Sequence, residues 1–203
     1  MNVNTAKEVI DFWFGDLNEE NGYSPSDTIQ KQWWQKSKAF DDSIRERFLD
    51  SIFVAAKGAV LKGIDDKDRL LATVILLDQF TRNVFRDSGF MYAYDTIALT
   101  TSLKAIEDGM NQLLHPIQRV FIYMPLEHNE DIHVQNQCVE LFKSLENQVD
   151  GVNKSMFTSF TSFAIKHQEI IERFGRFPHR NALLGRASTP AEKLFLQQPN
   201  SGF

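Results

Sequence analysis

The amino-acid sequence predicts an all-α protein, and three observations support that prediction. Apolar residues recur with the 3.6-residue period of helices along most of the chain, whereas the period-2 alternation of strands is scarce. The six prolines lie at positions 25, 116, 125, 178, 190 and 199, so none interrupts a helix between residues 26 and 115. Glycine follows several of the periodic segments, as it does at helix C-termini. We expect one helical domain over residues 1–203, with about seven to nine helices in antiparallel pairs that pack as a bundle or an α-solenoid.

Four helices are predicted in the first half of the chain, each with an apolar stripe. They cover approximately residues 5–14, 29–61, 67–85 and 92–108. Gly15 and Gly109 end the first and the last of them. A loop rich in polar residues separates the first two and extends to about Ser26.

Four more helices are predicted in the second half. They begin at Pro116, at about Glu130, at Lys154 and at Pro190. Proline is favoured at the first position of a helix, which explains Pro116 and, after the N-cap Thr189, Pro190. Pro125 should end or kink the first of these helices, and Gly175 should end the third.

Composition excludes several classes of protein. The 203 residues carry 22 Lys and Arg against 27 Asp and Glu, a net charge of -5, whereas binders of nucleic acid or membrane surfaces carry a basic excess. A single cysteine allows no internal disulfide. The first nine residues lack the apolar region of a secretory signal, and the apolar stretch 70–77 is far shorter than the roughly 20 residues that span a bilayer. We therefore expect a cytoplasmic protein, and the oligomeric state stays open.

Ionisable residues on apolar helix faces are the first functional signal. In the third predicted helix the apolar stripe continues through Asp78 to Arg82, and the two side chains are four residues apart, so they can pair. A carboxylate on such a stripe needs a partner, because burying it alone costs several kcal/mol. The pair either ties two helices together or lines a cleft.

Two further helices place histidines on apolar stripes. The stripe that begins at Pro116 leads to His128, beside Glu127 and Glu130. His167 lies on the stripe of the helix that ends at Phe174. Each of these has a plain structural explanation, either a solvated helix end or a hydrogen-bonded core histidine. Their occurrence on three separate helices favours a common site.

A metal site has only weak support from spacing. Glu130 and His133 have the Glu-x-x-His spacing of di-iron bundles, but the second copy that such sites need is missing. A mononuclear site with His167 stays open, and we assign no metal and no cofactor. Gly-x-Ser-x-Gly and the Gly-rich phosphate loops are absent, and Cys138 lies on a core stripe.

The C-terminal part concentrates positive charge. Between Thr161 and Pro190 five basic and two acidic residues give +3, so the rest of the chain carries -8. Arginine without lysine, between residues 173 and 186, suits bidentate binding of carboxylate or phosphate. The alternative is that these arginines neutralise acidic helices within the protein.

The same segments carry a family resemblance. LLDQFTRNVFR at 76–86, PLEHNED at 125–131, and FGRFPHRN at 174–181 with LGR at 184–186 resemble motifs of the bacterial family called domain of unknown function 924. VIDFWFG at 9–15 and FLQQP at 195–199 extend the resemblance over nearly the whole chain. Thr81 and Asn129 depart from the usual Pro and Ser of these motifs, and neither change removes an ionisable group. The resemblance implies a tetratricopeptide-like α-α superhelix and implies no particular reaction.

The leading hypothesis is a polar cleft that binds a small anionic molecule. Three sets of side chains would line it, namely Asp78, Gln79, Arg82 and Asn83; Glu127, His128 and Glu130; and His167, Arg176, His179, Arg180, Asn181 and Arg186. His128 or His167 would act as a general base oriented by Glu127 or Asp78, should the protein be an enzyme.

Two other hypotheses remain open. A tetratricopeptide-like groove could hold a peptide without any catalysis. Its candidate aromatic residues are Trp33, Trp34, Phe90, Tyr92 and Tyr94. Alternatively, the polar network only specifies how the helices pack.

Overall fold

A computed structural model describes residues 2–18, 23–61, 66–199 and 201–202. The described residues form helices, turns and loops without any strand, which confirms the all-α prediction. Counted over these residues, with the continuous run 67–84 taken as one helix, nine helices lie within the predicted range. None of these helices combines the length and the apolar character that crossing a bilayer requires.

The helices follow the predicted order. Their bounds are α1 Val3–Phe14, α2 Asp27–Trp34, α3 Lys38–Leu61, α4 Lys67–Val74, α5 Thr81–Val84, α6 Asp95–Glu107, α7 Pro116–Glu127, α8 Ile132–Glu146, α9 Lys154–Phe174 and α10 Pro190–Phe195. A π-helical stretch, Ile75–Phe80, joins α4 to α5. Short 3₁₀ segments are Gly89–Tyr92, Met110–Leu113, Gly151–Asn153 and Pro178–Arg180.

The chain divides into two compact units. Unit 1 contains residues 1–86 and 90–125, and unit 2 contains residues 87–89 and 126–203. The expectation of a single domain stays a prediction.

Unit 1 has an aromatic core in which α1 packs against α4. The ring of Trp13 lies 5.4 Å from that of Phe80 and 5.6 Å from that of Phe121, both with edge-to-face geometry. Phe48, on α3, lies 5.0 Å from Phe80. These rings are all buried, so large apolar area and favourable ring geometry together stabilise the unit.

One predicted helix is divided in the structure. Residues 29–61 were expected as one helix, but α2 ends at Trp34, where Gln35 takes an extended conformation. The hydroxyl of Ser37 then accepts the backbone N–H of Phe40 and so starts α3. Because the apolar periodicity continues across this break, the sequence pattern gives no sign that the helix is interrupted.

Unit 2 is built on the pairing of α8 with α9. Its core contains Ile170, Ile171 and Phe177, with Phe174 and Phe195 packed against them. Gly175 caps α9 in the left-handed conformation at φ +68°, as predicted. Thr189 and Glu192 form a capping box at the start of α10, beside the predicted Pro190. α7 continues for two residues beyond Pro125 and ends at Glu127.

Candidate functional site

In unit 1 the Asp78–Arg82 pair forms, and it belongs to a larger internal network. Asp78 lies in the π-helical stretch and is completely buried. Its Oδ1 accepts from Arg82 Nη2 at 3.3 Å, and its Oδ2 accepts from Gln79 Nε2 at 2.6 Å. Both carboxylate oxygens of Asp78 are therefore engaged within the unit.

Arg82 is also held on its other side. Its guanidinium donates to both oxygens of Asp95, at 3.1 and 3.2 Å, and to the Met91 carbonyl at 2.9 Å. Burial disfavours the charged guanidinium, but the charges of Asp78 and Asp95 outweigh it and raise the pKa of Arg82. This arrangement favours the structural interpretation of the pair.

Asn83 has a similar structural role. Its amide donates to Asp41 Oδ1 at 2.8 Å, and Arg86 donates to both oxygens of Asp41. Asn83 therefore helps to hold a carboxylate of α3 within unit 1.

Unit 2 contains a buried pair formed by a carboxylate and an imidazole. Glu127 is the last residue of α7, and His167 lies in the middle of α9. Nδ1 of His167 is 2.9 Å from Oε1 of Glu127 and 2.9 Å from the carbonyl oxygen of Phe163. Both residues are 5 % exposed.

The two neighbours of Nδ1 determine the tautomer of His167. A carboxylate and a carbonyl accept hydrogen bonds and do not donate, so Nδ1 must carry the proton. In the neutral ring Nε2 then has the lone pair, as in a histidine oriented to act as a base. We assign this tautomer from the hydrogen-bond partners.

Phe177 stands at the centre of a cluster of basic side chains. Its ring centroid lies 5.5 Å from that of His167 and 5.6 Å from that of His179, and the guanidinium carbon of Arg180 lies 4.6 Å above it. The rings of His128 and His167 are 6.4 Å apart. His128 and His179 are half-buried, whereas Arg180 is buried. We call Glu127, His128, His167, His179 and Arg180 the histidine cluster.

His179 is neutral at physiological pH. Burial lowers its pKa to about 3, and the charge of Arg180 and the nearby rings of His167 and His128 act in the same direction. A neutral imidazole can donate one hydrogen bond and accept another, so the ring can serve as a polar contact without adding charge.

Two of the predicted ligand-binding arginines pair with glutamates inside unit 2. Arg186 donates to the two oxygens of Glu130 at 2.7 and 2.9 Å. Arg176 donates to those of Glu192 at 2.6 and 2.9 Å. The hydrogen bond from Arg176 lowers the pKa of Glu192 to about 2. For these two arginines the contacts favour internal neutralisation of acidic residues.

These pairs hold the turn that carries His179 and Arg180. Glu130 Oε1 also accepts the backbone N–H of Phe177 at 2.8 Å, and Arg186 donates to the Phe177 carbonyl at 3.1 Å. Asn181 is buried and accepts from Arg186 Nε at 2.9 Å. Burial disfavours the Glu130 carboxylate, but the bonds from Arg186 and Phe177 outweigh it and lower its pKa.

The residues considered for a metal are not arranged as ligands of one ion. Among the described residues no group of three or more His, Cys, Asp or Glu side chains is arranged to hold a metal ion. Glu130 is engaged by Arg186, and His133 is exposed on the first turn of α8. Cys138 is buried, and burial together with the charge of Glu127 raises the pKa of its thiol well above the ordinary value, which disfavours a reactive thiolate.

The aromatic residues proposed for a peptide groove differ in accessibility. Trp34 is 54 % and Phe90 is 66 % exposed. Trp33 is half-buried and donates from Nε1 to the Trp13 carbonyl at 2.9 Å. A concave surface at α2 is lined by Asp27, Gln30, Lys31, Trp34 and Gln35. Of the five aromatic residues proposed for a peptide groove, Trp34 alone lines this surface.

The structure therefore distributes the predicted residues over both units. Asp78, Gln79, Arg82 and Asn83 lie in unit 1, whereas Glu127, His128, Glu130, His167, Arg176, His179, Arg180, Asn181 and Arg186 lie in unit 2. The expectation that both sets line one cleft stays a prediction.

Gln135 is a buried polar residue beside the cluster that the sequence reasoning missed. It lies four residues before Val139 and three before Cys138, on the same apolar face of α8. The argument applied to Asp78, a polar residue on an apolar stripe, would have found it.

Comparison with known proteins gives a family and a structural relative. The family model described as bacterial protein of unknown function (DUF924) matches residues 9–200. The chain is 35 % identical to ATU0120, a protein of unknown function from Agrobacterium tumefaciens, over 97 % of this chain and 98 % of that one, with a TM-score of 0.78. None of the curated proteins matches the chain.

Proposed function

Since the chain belongs to the DUF924 family of bacterial proteins of unknown function, we propose from its geometry that it binds a small anionic molecule at the histidine cluster. In this proposal His167 acts on the bound molecule as a general base that Glu127 orients. The observation that carries the proposal is the buried contact of 2.9 Å between His167 Nδ1 and Glu127 Oε1, with the ring of His167 and the buried guanidinium of Arg180 both against the ring of Phe177.

The pair of Glu127 and His167 has the parts that acid–base chemistry needs. The carboxylate and the Phe163 carbonyl keep the proton on Nδ1, so Nε2 can accept a proton from a bound molecule. When Nε2 takes up that proton, the charge of Glu127 stabilises the resulting imidazolium. Burial strengthens this interaction because little solvent screens it.

The remaining members of the cluster supply anion recognition. Arg180 brings a permanent positive charge, held over the face of Phe177, and a guanidinium matches carboxylate and phosphate geometry. His128 and His179 are accessible to solvent in part and can donate ring N–H groups. Arg180 lies in the cluster over the ring of Phe177, and in this proposal it is the arginine that binds the anion, whereas Arg176 and Arg186 each hold a glutamate.

The experiment is a titration of protein labelled with ¹⁵N at histidine with inorganic phosphate and, separately, with acetate. We expect saturable shifts of the ring signals of His128, His167 and His179 with at least one of the two anions. Arg180→Gln should weaken that binding by about tenfold or more, since a charge-assisted hydrogen bond contributes about 1.5–3 kcal/mol.

Arg173→Gln is the matched control. Arg173 lies in the same unit, is exposed and contacts the ring of Phe174, so the variant makes the same change of charge outside the cluster. Absence of any saturable shift with either anion, or equal weakening by both variants, would overturn the proposal. Native mass spectrometry of freshly purified protein adds an independent search for a retained small anion.

A further inference from the structure

We propose that Gln135 is a positioning residue for the Glu127–His167 pair and that it acts through the backbone at the end of α7. This inference rests on the proposed function for its consequence, although its test does not. Gln135 lies in the first turns of α8 and is completely buried. A buried glutamine needs hydrogen-bond partners, and the partners here are all backbone carbonyls.

Three carbonyl oxygens converge on the amide nitrogen of Gln135. Nε2 lies 2.6 Å from the oxygen of Asn129, 2.7 Å from that of Glu127 and 3.4 Å from that of Leu126. The amide has two hydrogens, so the two short contacts are the main bonds and the third is weaker. Carbonyls accept and do not donate, so the nitrogen end must face them.

Two of these carbonyls, those of Leu126 and Glu127, belong to the end of α7, and that of Asn129 lies two residues beyond it. The last four carbonyls of any α-helix have no N–H from a following turn. Leu126 receives the N–H of Asn129 at 3.2 Å, and Gln135 supplies donors to Glu127 and Asn129. His128 lies between the two carbonyls that Gln135 binds most closely. The amide therefore fixes the backbone from which the side chains of Glu127 and His128 project.

The same helix is also tied to the helix that carries His167. α8 packs along α9, and the amide of Gln168 donates to Asn136 Oδ1 at 2.6 Å. Gln135 precedes Asn136 directly. The end of α7 is thus linked through Gln135 to α8 and, from there, to α9. Loss of the amide should change the position of Glu127 relative to His167.

The other end of the side chain supports a donor role. Oε1 of Gln135 is buried and has no hydrogen-bond partner among the described residues. A buried oxygen without a partner is unfavourable, and an apolar residue of similar size would fill the space without that cost. The donor end is therefore what the position requires.

The test replaces Gln135 by methionine, which has similar length and volume but no donor. The readout is the tautomer of the His167 ring, observed by ¹⁵N NMR well below the melting temperature. In the native protein we expect the proton on Nδ1. In Gln135→Met we expect a mixture of Nδ1–H and Nε2–H forms. A lower melting temperature with the tautomer unchanged would mean that Gln135 is only structural, and would overturn the inference.

Gln135→Glu is the second variant, and it keeps the inference testable should the first fail to fold. A protonated glutamic acid has one O–H donor, and its ionised form has none. We therefore expect a tautomer ratio close to native while the new carboxyl is protonated and the His167 ring is neutral, and a mixed ratio after the carboxyl ionises. A ratio that does not vary with pH in this variant would contradict a role for the donor.

Val139→Ala is the matched control, since Val139 is buried one turn further along the same face of α8. It should lower stability by opening a cavity and leave the tautomer unchanged. An equal change of tautomer in this control would overturn the inference. The phosphate and acetate titrations of the native protein are independent of these measurements. If neither anion binds in these titrations, the proposed function is wrong, but the tautomer result still stands.

Discussion

Nδ1 of His167 lies 2.9 Å from Oε1 of Glu127, and the two residues are 40 positions apart on different helices. The carbonyl of Phe163, one turn earlier on α9, is at the same distance from this nitrogen. Nδ1 therefore faces a carboxylate that comes from α7 as well as a carbonyl of α9 itself. Both acceptors favour the tautomer with the proton on Nδ1, while only the carboxylate adds charge.

Removing the carboxylate of Glu127 should destabilise the protein. Glu127→Ala takes away one acceptor of a buried N–H group and leaves the Phe163 carbonyl, so we expect a loss of about 1–3 kcal/mol in the free energy of unfolding. Glu127→Gln retains a carbonyl oxygen and should cost less. Urea denaturation measures both. Glu169→Ala changes an exposed glutamate of α9, and a loss as large as that of Glu127→Ala would contradict a special role for the buried pair.

Arg180 should control the protonation of His179. After burial, the guanidinium is the largest cause that keeps the pKa of His179 at about 3, so Arg180→Gln should raise that pKa. NMR titration of the ring measures the change directly. Arg173→Gln, with the same loss of charge, should leave the ring unaffected. A pKa of His179 equal to the native value in Arg180→Gln would contradict this account.

His179 should also make stability depend on pH in a defined window. The unfolded chain binds a proton at this ring as the pH falls below its ordinary pKa of 6.5, whereas the folded protein does so only near pH 3. The unfolded state therefore binds more protons between these values, and stability is lost as the pH falls from 6.5 toward 3. His179→Asn should reduce the slope of unfolding free energy against pH in this window. An unchanged slope would argue against the buried neutral ring.

The Arg186–Glu130 pair should stabilise the turn that presents His179 and Arg180. Arg186→Lys keeps the charge but cannot reproduce the two parallel bonds to Glu130 together with those to Asn181 and Phe177. We expect a loss of about 2 kcal/mol, measured by denaturant unfolding. Lys143→Gln breaks an exposed pair with Glu140 and should cost less than about 1 kcal/mol. Similar losses in both variants would show that the bidentate geometry contributes little.

Substitution of Asp78 distinguishes a structural role from a role in anion binding. Asp78→Asn removes one of the two carboxylates that neutralise Arg82, so we expect a loss of about 3 kcal/mol or more in unfolding free energy. We expect the anion-induced shifts of His128 and His179 to remain, because the contacts of Asp78 are already used inside unit 1. Loss of those shifts in a folded Asp78→Asn protein would show that Asp78 takes part in anion binding.

The amino-acid sequence was enough to predict the helical class and many helix ends, because both depend on interactions between near neighbours. Apolar periodicity predicted α9 with its observed bounds, and Gly175 and Thr189 act as caps through bonds that span a few residues. The same reasoning indicated that Asp78 and Arg82, one turn apart, could pair, and they do. It failed at the break between α2 and α3 and at the π-helical stretch Ile75–Phe80, where periodicity alone carries no signal.

Contacts between polar groups that are distant in sequence could be seen only in the folded protein. Arg186 pairs with Glu130, which is 56 positions away in the sequence, and Arg176 pairs with Glu192, which is 16 positions away. Composition and spacing could show that these arginines were concentrated, but they could not distinguish internal partners from a bound anion. The contact between His167 and Glu127 and the bonds of Gln135 likewise depend on how separate helices pack. A buried charge or amide is stable only beside a partner, and the packing of distant helices determines which partner that is.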